Sequence, residues 1–232
     1  QAATVAAGDV EAADVELTDD VSESIRERVE RLESRAATVE TRVGVPCQVV
    51  VATGQESAAA TTLQAAESTN CDLIAAPYES EHGALTTYIR ELFRGRSDVL
   101  VHRSRNGRTR WRRVLVPVRR ASDVAHHMVD FAVRLAGGSG RVAVATCIGD
   151  RGDRRRAESM LADLAEPFVG DIETRVSGTD IHSFLGRSSP EYDLVIIGAS
   201  QDRSAASRFV TPPTFERLDD LETDVAIVDR SH

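Results

Sequence analysis

From residue 112 onward, short and almost wholly apolar runs alternate with longer stretches in which apolar residues recur every three or four positions. RRVLVPV (112–118), VAVATCI (142–148), IETRV (172–176), DLVIIG (193–198) and DVAIVD (224–229) read as strands. Runs of Val and Ile without regular polar alternation suit strands buried on both faces. After the first run, Val124, Ala125, Met128, Phe131, Ala132 and Leu135 share one helical face, with Ser122 as N-cap and Gly137 and Gly138 as the stop. The spacing predicts an amphipathic helix over 153–167, ended near Pro167, a short helix over 180–188 and a last one around 213–222. Strands and helices alternating in this way build a parallel sheet, wound on both faces by right-handed crossovers.

The front of the chain repeats part of this pattern. CDLIAAPYES (71–80) matches YDLVIIGASQ (192–201), and SDVLVHRS (97–104) matches TDVAIVDRS (223–231), at offsets of 121 and 126 residues. Strands that align while loops change length are what duplication of a folding unit leaves behind. ATVAAGDV (3–10) takes the place of VAVATCI, and Asp20 with Glu23 forms a capping pair for a helix bearing Val21, Ile25, Val29, Leu32, Ala36 and Val39 on one face. CQVVVAT (47–53), DLIAAP (72–77) and DVLVHR (98–103) supply three further strands, but nothing matches the opening VLVPV strand and its helix. The reading is therefore α/β, with two doubly wound parallel-sheet repeats: an incomplete first over 1–104, a linker at 105–111, and a second over 112–232. Since the opening strand belongs in the middle of such a sheet, the natural polypeptide is expected to continue upstream of Gln1.

Composition narrows the chemistry. All 28 basic residues are arginine, so Schiff-base lysines, phosphate-loop lysines and the lysine of a phosphoreceiver are excluded. The 37 acidic residues leave a net charge of −9, with 18 acids against 9 arginines in residues 1–104 and 19 of each in 105–232. An acidic, Arg-only, Ala- and Val-rich chain suits a salt-adapted organism. Cys47, Cys71 and Cys147 are widely spaced and odd in number, which favours buried thiols in a reducing compartment over disulfides or a metal site. No run approaches the ~18 apolar residues of a membrane span.

The VLVPV opening, the DLVIIGAS strand exit and the DVAIVD terminal strand resemble the universal stress protein family, as a tandem pair covering nearly the whole chain. The resemblance implies an adenine-nucleotide-type α/β fold. In nucleotide-binding members an aspartate and a glycine follow the first strand, and a glycine-rich loop after the fourth holds phosphates on its amides. Here Arg119 and Arg120 stand at the first pair, Gly198 keeps the first loop glycine, and Gln201, Thr211 and Pro212 replace the later small residues. In the first repeat Pro77, Ser80, Arg90 and Glu91 stand at the loop positions. Proline has no amide to offer, and side chains block the close backbone approach that glycine permits. What remains is a degenerate nucleotide or anion loop of Gly198, Ser200, Arg203 and Ser204, with Ser207 and Arg208 beside it, or else a plain surface crossover.

The run 101–120 carries eight arginines, no acid and Trp111. A nucleic-acid surface is one reading of it. A solvated linker facing the acidic first repeat is the one preferred here, so nucleic acid is not an expected partner. His126 and His127 are adjacent, about 100° apart on a helix, and suit the surface better than a shared metal. No paired carboxylates, nucleophile elbow or catalytic base is recognisable, and Asp72 and Asp193, which precede equivalent strands, read as local hydrogen-bonding residues.

These readings lead to a non-enzymatic regulatory or interaction module with no catalytic residues, no metal and no resident cofactor. The resemblance extends to cytosolic tails of secondary transporters of the amino-acid permease and cation-chloride cotransporter type, whose loop FVTPPTFE (209–216) is similar to. That implies an upstream membrane domain of the same polypeptide, or another protein, as partner. Within the chain, 98–103 and 224–229 are expected to pair as a pseudo-dimer, and a homodimer stays open. The alternative is a free cytoplasmic stress protein that binds ATP or AMP.

Overall fold

The computed structural model describes residues 5–6, 23–50, 57–81, 84–148, 153–199, 218 and 220–230. In chain order these form β1 (Val5–Ala6), α1 (Glu23–Val43), β2 (Gln48–Val49), α2 (Ala58–Ser68), β3 (Leu73–Pro77), β4 (Ser80–Glu81), β5 (Ala84–Leu85), α3 (Thr87–Leu92) and β6 (Asp98–Arg103). They continue as β7 (Arg113–Pro117), α4 (Asp123–Ala136), β8 (Arg141–Cys147), α5 (Arg154–Ala165), β9 (Asp171–Ser177), α6 (Ile181–Ser188), β10 (Leu194–Gly198) and β11 (Asp224–Asp229).

Local signals account for the element ends. Ser122 caps α4 by accepting the Ala125 amide at 3.2 Å, and Gly137, at φ +67°, ends it in a conformation that glycine adopts without strain. Asp153 caps α5 through the Arg156 amide, and Asp180 caps α6 through His182 and Ser183. Ser57 does the same for α2 through Ala60.

Seven strands form one sheet in the order β3-β6-β11-β10-β7-β8-β9. All neighbours are parallel except β6 and β11, which run antiparallel with Val101 opposite Ile227 and Leu100 opposite Val228. Both faces are covered over the central strands, whereas Leu73, Ala75 and Pro77 leave one face of β3 exposed. On one, α4 and α5 bring Met128, Val129, Ala132, Leu161 and Leu164 onto Val114, Val116, Val144, Leu194 and Ile196. On the other, α2, α3 and α6 bring Ala59, Ile89, Leu92 and Leu185 onto Ile74, Val99, Leu115, Val195 and Ile227. This second core runs without interruption across the β6–β11 junction, so the two sides of that seam share one hydrophobic interior.

One expectation holds and another fails. Residues 98–103 pair with 224–229 as expected, which joins β3 and β6 to the strands of residues 113–229 in a single sheet. β1 and β2 stand apart from it and pair antiparallel, Val5 opposite Val49. Among the described residues no strand lies between them and the main sheet, so nothing aligns them in parallel and each satisfies its backbone on the other. The Asp20 cap and most of the helix read around 213–222 fall outside the described residues.

Candidate functional site

In the strand order β9-β8-β7-β10-β11, β7 is followed by a neighbour on one side and β10 lies on the other. In doubly wound sheets the crevice at the carboxyl ends of two such strands is where ligands bind. Its walls are the β7 exit, Val118 to Ala121, the first turn of α4, and the β10 exit at Gly198 and Ala199.

Backbone bonds part the two exits. The Val118 amide donates to Ala145 O on β8 at 2.7 Å and the Ala199 amide to Val228 O on β11 at 2.9 Å, so each exit turns away from the other. Val118 and Ala199 are buried, whereas Arg119 and Arg120 are exposed. Gly198 has a specific packing reason to be glycine. A Cβ there would lie 3.0 Å from Met128 Sδ and 3.3 Å from Val124 Cγ1, so α4 already fills the space above it. Gly198→Val is expected to lower stability by roughly 1–3 kcal/mol through overpacking. Val124→Ala in the same chain should recover part of that loss in urea titrations; an unchanged midpoint for Gly198→Val would refute the packing role. Ser200, Arg203 and Ser204, with Ser207 and Arg208, lie outside the described residues.

Other candidates are occupied locally. His126 Nδ1 lies 3.0 Å from Ser122 O and His127 Nδ1 3.1 Å from Asp123 O, each within its own helical turn. Among the described residues no three His, Cys, Asp or Glu side chains gather as metal ligands. Cys147 ends β8 near the crevice, but burial pushes its thiol up to about 11, aided by the charge of Asp180 and opposed by a hydrogen bond with Ser177. A thiol so shifted is almost wholly protonated at neutral pH and a poor nucleophile. Iodoacetamide should label Cys147 slowly at pH 8 and much faster as the pH approaches 11; rapid labelling at pH 7 would contradict the burial argument.

The most built polar arrangement lies at the opposite end of the sheet, where two buried aspartates hold the segment that joins β6 to β7. Asp224, fully buried at the head of β11, accepts the Arg105 amide at 2.8 Å and the Asn106 amide at 3.3 Å on Oδ1, and Trp111 Nε1 at 2.8 Å on Oδ2. Asp193, just before β10, accepts Arg108 Nη1 at 2.7 Å on Oδ1 and the amides of Arg112 and Arg113 at 2.9 and 3.0 Å on Oδ2. Arg103 turns its guanidinium onto the carbonyls of Leu218, Leu221 and Thr223. Trp111 meets His102 edge-on at 5.3 Å between ring centroids. Burial holds the His102 pKa below its usual value despite the raising effect of Asp224, so the neutral ring is favoured.

This clasp gives Trp111 and much of the arginine-rich run a structural use. Asp193, read as a local hydrogen-bonding residue, does hydrogen-bond, but to residues 80 or more positions away. Asp224 was not singled out, although an acid heading an otherwise apolar strand was a usable signal.

No protein-family model and no curated protein matches the chain in sequence. Solved structures do match it in shape. A universal stress protein from Archaeoglobus fulgidus DSM 4304 superposes with a TM-score of 0.62 at 16% identity, over 94% of this chain and 82% of that one. A functionally unknown protein from Pseudomonas aeruginosa PAO1 matches with a TM-score of 0.55 at 15% identity, over 91% of this chain and 79% of the other. A candidate universal stress protein from Pseudomonas aeruginosa UCBPP-PA14 gives 0.54 at 15% identity, over 90% and 78%. At such identities the likeness is one of architecture, and the mostly parallel, helix-covered sheet of this chain has the fold of the universal stress proteins.

Proposed function

We propose that the chain is a non-enzymatic regulatory or interaction module made of two universal-stress-like halves joined at the β6–β11 seam as an intrachain pseudo-dimer. The observation that supports this reading is the packing at the β10 exit, where the fold could hold a nucleotide: a Cβ on Gly198 would lie 3.0 Å from Met128 Sδ of α4. Arg119 and Arg120 at the β7 exit, and a largely protonated Cys147 thiol at the β8 exit, agree with it. The seam supports the pseudo-dimer, since five register pairs bury two strand edges against each other.

A cytosolic setting, attached to a transporter, is the role we assign to the module, on the resemblance of FVTPPTFE (209–216) to transporter tails. No helix among the described residues is long and apolar enough to cross a membrane. Membrane spans would therefore come from outside these residues.

Calorimetric titration with ATP and AMP, in the salt concentration that keeps the protein folded, tests this reading. No saturable heat is expected with either nucleotide. Micromolar affinity for one of them would overturn this reading in favour of a nucleotide-binding stress protein.

A further inference from the structure

One titratable group at the seam takes no hydrogen bond in the clasp beside it. Side chains alternate along a strand, so His102 stands with Leu100 on the face of the sheet that α4 packs, while Arg103 turns to the other. Pro77 of β3 lies opposite it on one side and the buried Ala226 of β11 on the other. Among the described residues the His102 Nε2 is buried and has no hydrogen-bond partner. A neutral imidazole can leave one nitrogen idle as an acceptor. An imidazolium donates from both, and here it would set a charged N–H where nothing accepts it.

The groups around the ring decide where such a charge can turn. β11 presents Asp224, the β6–β7 connection Trp111, Arg105 and Arg108, β3 the Tyr78 phenol, and β6 itself Arg103. The cations are engaged elsewhere: Arg105 Nε donates to Leu221 O, Arg108 pairs with Asp193, and Arg103 lies on the carbonyls of Leu218, Leu221 and Thr223 with the Tyr78 ring 5.8 Å away. Asp224 is the charge that acts on the ring, raising its affinity for a proton, although burial outweighs that effect.

Trp111 ties the two together. Its Nε1 donates to Asp224 Oδ2 at 2.8 Å while its ring meets His102 edge-on at 5.3 Å. An indole N–H and an imidazolium would therefore compete for one carboxylate, and the charge-assisted bond is the stronger. The same carboxylate holds the Arg105 and Asn106 amides, at the point where the chain leaves β6 for β7 beside the antiparallel seam. The other described histidines have no such link. His126 and His127 approach carbonyls of their own turn of α4, and His182 lies in the first turn of α6.

We propose that His102 is a proton-operated latch on the seam: once charged, its imidazole takes the Asp224 carboxylate from the Trp111 indole and frees the segment that joins β6 to β7, so that acid loosens the joint between the two halves. This gives the regulatory module proposed above an input, and rests on that reading for its purpose alone.

Trp111 is the single tryptophan, so its emission follows the latch in the 232-residue chain. Between pH 8 and about pH 4.5, above the range in which Asp193 titrates, emission should shift to the red in one step whose midpoint lies below the ordinary histidine value of about 6.5. Long-range proton–nitrogen spectra should give His102 the same midpoint. Protection of the Arg105 and Asn106 amides, corrected for intrinsic exchange, should fall at least about 10-fold across the step while that of Ile227 holds, which separates local release from unfolding. His102→Phe keeps an aromatic ring against Trp111 and cannot be charged, and His102→Gln keeps a polar one; either should abolish the step. Because the folded value is lowered, wild type should also lose stability relative to His102→Phe as the pH falls through about 6.5. A step that persists in both variants would overturn the proposal. So would a midpoint at or above 6.5, or a His102 titration that leaves Trp111 emission fixed. Flat emission would fail the latch and leave the functional reading standing, whereas nucleotide binding by calorimetry would fail that reading and leave the titration intact.

Discussion

Asp224→Ala is expected to destabilise the protein by about 3 kcal/mol or more, from the loss of hydrogen bonds to a buried charged acceptor at ~1.5–3 kcal/mol each, partly offset where water reaches the released amides. Its carboxylate is fully buried and satisfies Arg105 and Asn106 on one oxygen and Trp111 on the other. Alanine would leave the indole N–H facing a void and release the β6–β7 connection. Asp224→Asn keeps one acceptor oxygen and should cost roughly half as much. Trp111 is the single tryptophan, so its fluorescence reports the clasp directly. A red shift and a lower urea midpoint are expected for the alanine variant. A wild-type midpoint with unshifted emission would show that Asp224 holds nothing essential.

Asp193 is the second point of weakness, and its effect depends on pH. Burial alone would raise its pKa, but the amides of Arg112 and Arg113 and the guanidinium groups of Arg108 and Arg113 outweigh it, so the carboxyl titrates below its ordinary value. A group whose folded pKa is depressed stabilises the fold above the unfolded pKa of about 3.9, and that contribution is lost as pH falls through the lower folded value. Asp193→Asn should therefore cost ~1.5–3 kcal/mol at pH 7. The difference from wild type should shrink as the pH drops below about 4. Thermal melts from pH 7 to pH 2 measure it; a difference that stays constant down to pH 2 would rule out the carboxylate as the source.

Both aspartates bear on how much could be read in advance. The strands of the second half, the Ser122 cap and the Gly137 stop were legible because each is a local signal: a run of β-branched residues, a hydroxyl before an apolar stripe, a glycine after it. The β3 and β6 strands were legible for the same reason. The pairing of Val5–Ala6 with Gln48–Val49 was not, since strand direction depends on which neighbour is present and among the described residues these two have only each other. Gly198 shows the limit at the site. Its place in a glycine-loop pattern was visible, but the contact with Met128 and Val124 depends on where α4 lands, and that is a property of the packed sheet.

The sequence by itself determined the alternation of strand and helix, the absence of lysine chemistry and the loss of the loop glycines, because periodicity and residue type act over a few neighbouring positions. The tertiary structure gave the expected pairing of residues 98–103 with 224–229 its antiparallel direction and register, and it alone decided that Asp193 and Asp224 tie down the arginine-rich connection. These contacts join positions 80 or more residues apart. Their energy comes from burial and hydrogen-bond satisfaction in a shared interior, which no local pattern encodes.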